Sequence, residues 1–154
     1  MPISGPGLVL VAETLSPSPR LRRHYDNSAM SDSLSTEWDF QEVAARHFDE
    51  ASRRVRSWVP PTLTVLVAAV RASTLRRLYP FTSHNRFCLS DGPRFWAGEG
   101  QVAPAFVSLH RDWGYTLWSG GPYDPAATEM LSTEDASAAA IELERLLDRW
   151  PNHT

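Results

Sequence analysis

Three proline positions constrain this chain more than any other feature. Pro60-Pro61, Pro80 and Pro151 each interrupt a helical register, because proline has no N–H to donate and its ring clashes with the preceding turn. Any long helix must therefore end before residue 60, fit between 61 and 80, or lie between Pro80 and Pro151.

The first segment predicts a helix over Thr36–Trp58. Ser35 or Thr36 can cap it, and Glu37 and Asp39 suit the positive end of its dipole. Phe40, Val43, Ala44, His47, Phe48, Ala51, Val55 and Trp58 recur at three- and four-residue steps, which predicts one apolar stripe. Glu42–Arg46, Asp49–Arg53 and Glu50–Arg54 are acid-before-base pairs of the kind that supports an exposed helix face. Pro60-Pro61 closes this helix and suits the first turn of the next. That second helix is predicted over Leu63–Leu78, with Pro80 as its stop.

Beyond Pro80 the period falls to two. Arg86–Ser90 reads as a strand closed by the turn Asp91-Gly92-Pro93. Ala105–His110 and Tyr115–Trp118 read as a hairpin that sets His110 opposite Tyr115. Thr128–Leu131 is a short edge strand. Ser132 or Thr133 caps a closing helix whose apolar face is Ala136, Ala139, Ala140, Leu143, Leu146, Leu147 and Trp150. The expected class is α+β: two N-terminal helices, an antiparallel sheet of three to four strands, and a C-terminal helix packed on it. Residues 36–154 form one domain, for which a hydrophobic content of 42% supplies a single core. Residues 1–35 are rich in Pro and Ser and lack either period, so a disordered tail is expected there. Met30, followed by SDSLSTEW, offers a second translation start.

Composition removes several function classes. Cys88 is the lone cysteine, which excludes a disulfide scaffold and fits a reducing, cytoplasmic setting. There is no apolar run long enough for a membrane span, and Leu8–Ala12 is too short for a secretory core. The net charge of −3 gives no bulk attraction to nucleic acid. All 15 basic residues are arginine, a codon-usage signature read here as a GC-rich, actinobacterial genome.

Catalytic and cofactor motifs are sparse. Five dispersed histidines and the lack of CxxC, HExxH or an EF-hand loop predict no metal, and no cofactor is expected. Walker A needs a lysine. Gly98-Glu99-Gly100-Gln101-Val102-Ala103 matches GxGxxA, but Pro104 and a following strand deny it the helix N-terminus a pyrophosphate requires, so it reads as a turn. Ser83-His84 and His110 with Asp112 are the nearest approaches to a nucleophile and base. Cys88 reads as a small buried hydrophobe.

The densest cluster of chemistry lies at Leu75–Ser90, where Tyr79, Phe81, His84 and Arg86 fall within eight residues. Tyr79, His84 and Arg86, joined by Arg94, Trp96, His110 and Tyr115, are the candidate ligand-lining residues. No catalytic residue is assigned. Arginine there favours an anionic or carboxylate ligand through paired hydrogen bonds, and histidine can move a proton near neutral pH. Alternatively, His84 and Arg86 satisfy orphan carbonyls at the end of the second helix.

The phrase Leu75-Arg-Arg-Leu-Tyr-Pro-Phe-Thr-Ser-His-Asn-Arg-Phe-Cys-Leu-Ser90 resembles LRxLYPFTSHxxLxFS, carried by an uncharacterised family of small actinobacterial proteins. The resemblance runs from about Trp38 to Trp150. Members are labelled natural-product biosynthesis proteins, a label that implies no reaction, cofactor or catalytic residue. The chain departs from them in its long N-terminal segment and in Trp96, Trp113 and Trp118. The expectation is an accessory or binding protein of specialised metabolism, acting on a small-molecule or protein partner. Two alternatives stand beside it. One is a small cyclase- or isomerase-like enzyme with a pocket near His84 and Arg86; the other is an immunity or regulatory partner marked by an exposed apolar patch.

Overall fold

The computed structural model describes residues 19–54, 60–110 and 114–151. The chain forms two compact units, residues 1–33 and 34–154. Helix α1 runs Pro19–Arg54. It therefore starts well before the expected Thr36, and the backbone of residues 19–35, expected in the tail, is helical. Proline suits a first turn, but Arg20–Ser33 carries no apolar period from which a helix could be read. Val55 and Trp58, expected in the apolar stripe, lie outside the described residues, as does the expected helix end.

In the second unit α1 is followed by α2 (Leu63–Arg71) and a 3-10 turn at Thr74–Arg77. Strands β1 (Tyr79–Ser83) and β2 (Arg86–Ser90) come next, then a 3-10 turn at Phe95–Ala97. Strands β3 (Ala105–Leu109), β4 (Tyr115–Ser119) and β5 (Thr128–Thr133) precede α3 (Ala136–Leu146). The strands form one antiparallel sheet in the order β1-β2-β3-β4-β5. The α+β class holds, with five strands in place of three to four.

The extra strand comes from Pro80. It lies inside β1 and does not stop a helix. Proline is tolerated in a strand at a sheet edge, where its missing donor breaks no ladder, and β1 is an edge. The second helix ends at Arg71, short of the expected Leu78, because Ser73 redirects the backbone. Its Oγ donates to the Val70 carbonyl at 2.7 Å and accepts the Leu75 N–H at 3.1 Å, the local competition that makes serine a helix breaker and a cap.

One sheet face, with Phe87, Leu89, Val107 and Leu117, joins Leu66, Val67 and Val70 of α2 and Ala139, Ala140 and Leu143 of α3 in a single buried core. Trp38 and Ala45 of α1 complete it. The α1 face differs from the predicted stripe. Phe40 is 63% exposed and Val43 43%, and His47 is exposed too. The inward line is Leu34, Trp38, Gln41, Ala45 and Phe48, with Asp49 beside it. Two polar residues on that line hid it from a hydrophobic count.

Asp49 is buried because it caps α2. Its two carboxylate oxygens accept the Leu63 and Thr64 N–H groups at 3.0 and 2.8 Å, placing a negative charge at the positive end of that helix. Trp38 closes the other end of the segment. Its indole N–H donates to the Arg76 and Leu78 carbonyls at 3.1 and 3.0 Å. That is the capping role the sequence offered to His84 and Arg86. The closing helix α3 is capped by Asp135, which accepts the Ser137 N–H at 3.0 Å, and not by Ser132 or Thr133.

Candidate functional site

The β3–β4 register sets the site. Leu109 pairs with Tyr115, Val107 with Leu117 and Ser108 with Thr116. The expected pairing of His110 with Tyr115 is off by one residue, and in a strand one residue exchanges faces. Leu117 and Tyr115 thus face the core with Val107 and Leu109, while Phe106, Ser108, Thr116 and Trp118 lie on the second face. His110 falls just past β3, its N–H donating to the Gly114 carbonyl at 2.9 Å.

A row of polar side chains crosses this second face. Ser83 pairs with Arg86, Arg86 with Ser108, Ser108 with Thr116, and Thr116 with Ser132. Beside it run aromatic rings. Phe106 stacks on Trp118 with centroids 6.0 Å apart, and the Arg86 guanidinium lies 6.0 Å from the Phe106 centroid, a cation–π approach. Phe81 stacks on Phe95 at 4.3 Å.

Two hydrogen-bonded groups end at one cleft. The Trp118 indole N–H donates to Ser108 Oγ at 2.9 Å, and Ser108 Oγ is 3.2 Å from His110 Nε2. Thr116 Oγ1 and Ser132 Oγ are 3.0 Å apart, and the Ser132 hydroxyl donates to Glu129 Oε2 at 3.2 Å. The cleft, about 520 Å³, is lined by His110, Gly114, Thr116, Glu129, Ser132 and Glu134, together with Tyr115 and Thr133. Strand β5 shapes it through a bulge: Leu131 pairs with Leu117 but Glu129 with Trp118, leaving Met130 as the extra residue. Among the described residues no three of His, Cys, Asp and Glu come together to hold a metal ion.

The seven residues singled out in the sequence are dispersed over this frame. His84 sits exposed at the β1–β2 turn with φ of 58°, its Nδ1 3.5 Å from Ser83 Oγ, while the Tyr123 hydroxyl donates to Ser83 at 3.2 Å. Arg86 and Tyr79 lie on β2 and β1, and Tyr79 is buried. Arg94 forms a two-pronged ion pair with Glu99 at 3.0 and 2.7 Å. Trp96 is 69% exposed. The Tyr115 hydroxyl donates to the Thr62 carbonyl at 2.7 Å beside the start of α2. Burial pushes its phenol up, against the lowering effect of that bond. Of the seven, the cleft brings together His110 and Tyr115. Asp112, the expected partner of His110, lies outside the described residues.

Ser108, Thr116, Trp118, Glu129 and Ser132 were missed. Their signal was present as polar positions alternating with Val107, Leu109 and Leu117. It becomes readable only when the hairpin register is right. Cys88 lies on the same face, 1% exposed. Burial pushes its thiol up to about 12, and the nearby Arg86 offsets only part of this. The GxGxxA stretch is a turn, as read. Gly98 takes φ of 80° after the Phe95–Ala97 turn, and a side chain on Gly100 would collide with the Gly92 backbone, its Cβ falling 2.6 Å away.

Fold and site together define an α+β domain with helices on one face of an antiparallel sheet and a polar cleft on the other. Residues 34–145 match a family of unknown function, DUF6193, and the chain belongs to that family. No curated protein and no solved structure matches it.

Proposed function

We propose that this chain is a binding module, an accessory protein of actinobacterial specialised metabolism, whose small-molecule ligand seats in the cleft beside His110. It works in the cytoplasm and has no nucleic-acid partner. The observation that carries the reading is the convergence of two hydrogen-bonded groups, Trp118–Ser108–His110 and Thr116–Ser132–Glu129, at one 520 Å³ cleft. Ligand sites are concave, with a few placed polar groups on apolar walls. The resemblance of Leu75–Ser90 supports the metabolic setting. Backbone amide shifts during a fragment screen test the site. Hits are expected to move Gly114, Thr116 and Ser132 together; hits that cluster elsewhere and spare these three would refute the placement.

A second reading, a regulatory partner protein, draws on Phe40, Val43 and Val65. All three are large and exposed, and Val43 and Val65 line a second cleft between α1 and α2. Exposed apolar groups of this kind mark protein contacts when they form a continuous patch. Phe40→Ser with Val65→Ser separates the readings. Loss of the cellular phenotype, with cleft binding intact, would favour the partner role.

A further inference from the structure

The outer side of the helical layer carries apolar surface that the core does not use. Phe40, Val43 and His47 belong to the stripe that the sequence offers as the buried side of α1, yet all three are exposed. Helix α2 shows the same mismatch. From Leu63 to Val70 it is apolar on every side except at Thr64, the composition of a helix enclosed in a core, but Val65 is 60% exposed and Ala68 is exposed beside it. A groove of about 550 Å³ runs between the two helices, with Val43 and His47 on one wall and Pro61 and Val65 on the other. We infer that this groove docks an acidic amphipathic helix of a partner protein. The inference rests on the partner reading above and gives that partner its chemistry.

The charge comes from two arginines whose expected acids are engaged elsewhere. The sequence pairs Glu42 with Arg46 and Asp49 with Arg53. In the structure Glu42 meets Arg71 at 3.2 Å, and Asp49 is turned inward onto the Leu63 and Thr64 N–H groups. Arg46 and Arg53 line the groove and are exposed. Among the described residues neither meets a carboxylate. Glu50, the other acid on the groove, faces Arg54 at 4.0 Å. Packing α2 against α1 has thus withdrawn two negative charges from the outer face and left two positive ones at the edge of an apolar groove.

Spacing and shape select the occupant. Arg46 and Arg53 stand two turns apart on one side of α1, about 10 Å along its axis. Carboxylates at the same seven-residue interval on an incoming helix meet both, while its apolar side covers Phe40, Val43 and Val65, the helix-in-groove mode of recognition. Strand addition has no template here, since the backbone bonds of both walls are closed within their own helices. A bilayer surface is flat, and this face is concave.

The test titrates the full chain with a synthetic amphipathic peptide of about five turns, leucine on one side and glutamate at seven-residue spacing beside it. A twin peptide carries lysine in place of glutamate. The glutamate peptide is expected to shift the Val43, His47 and Val65 amides, and the lysine twin to leave them in place. Arg46→Glu with Arg53→Glu is expected to weaken the glutamate peptide about a hundredfold, tenfold for each reversed contact, and to admit the lysine twin. Both arginines are exposed, so the variant keeps the fold, which a thermal scan checks. Equal binding of the two peptides, or the same preference in the double variant, would overturn the acidic occupant. So would a chain that ignores both peptides, including one that instead forms dimers dispersed by Phe40→Ser or binds anionic phosphatidylserine vesicles. The partner reading is judged apart from these results. A cellular phenotype lost in Phe40→Ser with Val65→Ser but kept in the arginine double variant would overturn the acidic helix and leave a partner of other chemistry; a phenotype kept in both would overturn the partner reading as well.

Discussion

At the scale of single residues, burial decides chemistry more than residue type does. Cys88 is the only thiol, and burial holds it protonated to about 12. Only the thiolate reacts, so a thiol reagent at pH 8 is expected to leave the folded chain untouched and label one site in urea. The sign of the linkage follows. Between the ordinary value of 9.0 and about 12 the folded state holds a proton the unfolded state has lost, so stability falls as pH rises through that window. Glu144 runs the other way. The Thr74 hydroxyl and backbone N–H hold its carboxyl below the usual range. Its contribution is present above the ordinary carboxylate value and is lost as pH falls through the folded one. A Glu144→Gln variant should melt lower than wild type at pH 7, with the gap closing in acid. Asp49 is buried and holds the start of α2. Asp49→Ala leaves the Leu63 and Thr64 N–H groups without their acceptor and should cost about 2 kcal/mol in urea denaturation.

Among the elements, α3 is cemented most simply. Leu143 is fully buried in the core, and Leu143→Ala should cost about 2–5 kcal/mol by the same measurement; a cost near zero would make the helix peripheral. This helix was legible because its inward positions, Ala136, Ala139, Ala140 and Leu143, are all apolar. Helix α1 was legible in its C-terminal part, but its face was not. Gln41 and Asp49 turn inward while Phe40 and Val43 point outward, and no hydrophobic count ranks aspartate above phenylalanine for burial. Strand β1 escaped notice because proline is a helix stop and a tolerated edge-strand residue at once, and only the sheet order decides between them. The hairpin failed by one residue. Both strand faces are apolar near Phe106 and Trp118, so alternation alone could not fix which of His110 and Leu109 meets Tyr115. The cleft inherits that ambiguity, since its residues come from β4, β5 and the loops at their ends.

For the whole molecule, the boundary between compact units falls after Ser33, next to the start of the family match at residue 34. Deleting residues 1–33 is expected to shift the melting temperature by less than about 4 °C, equivalent to under about 1 kcal/mol; a larger drop in a thermal scan would show that the core depends on the deleted segment. The two sheet edges set a further property. Edge β1 carries Pro80, which cannot donate to an incoming strand, and edge β5 carries the bulge at Met130. Unpaired edges are templates for strand addition, and proline and bulges blunt them. The sheet is therefore built to end where it ends. In concentrated solution its strands should not recruit those of neighbouring molecules into fibrils, and Pro80→Val would turn one side of a finished sheet into a growing one.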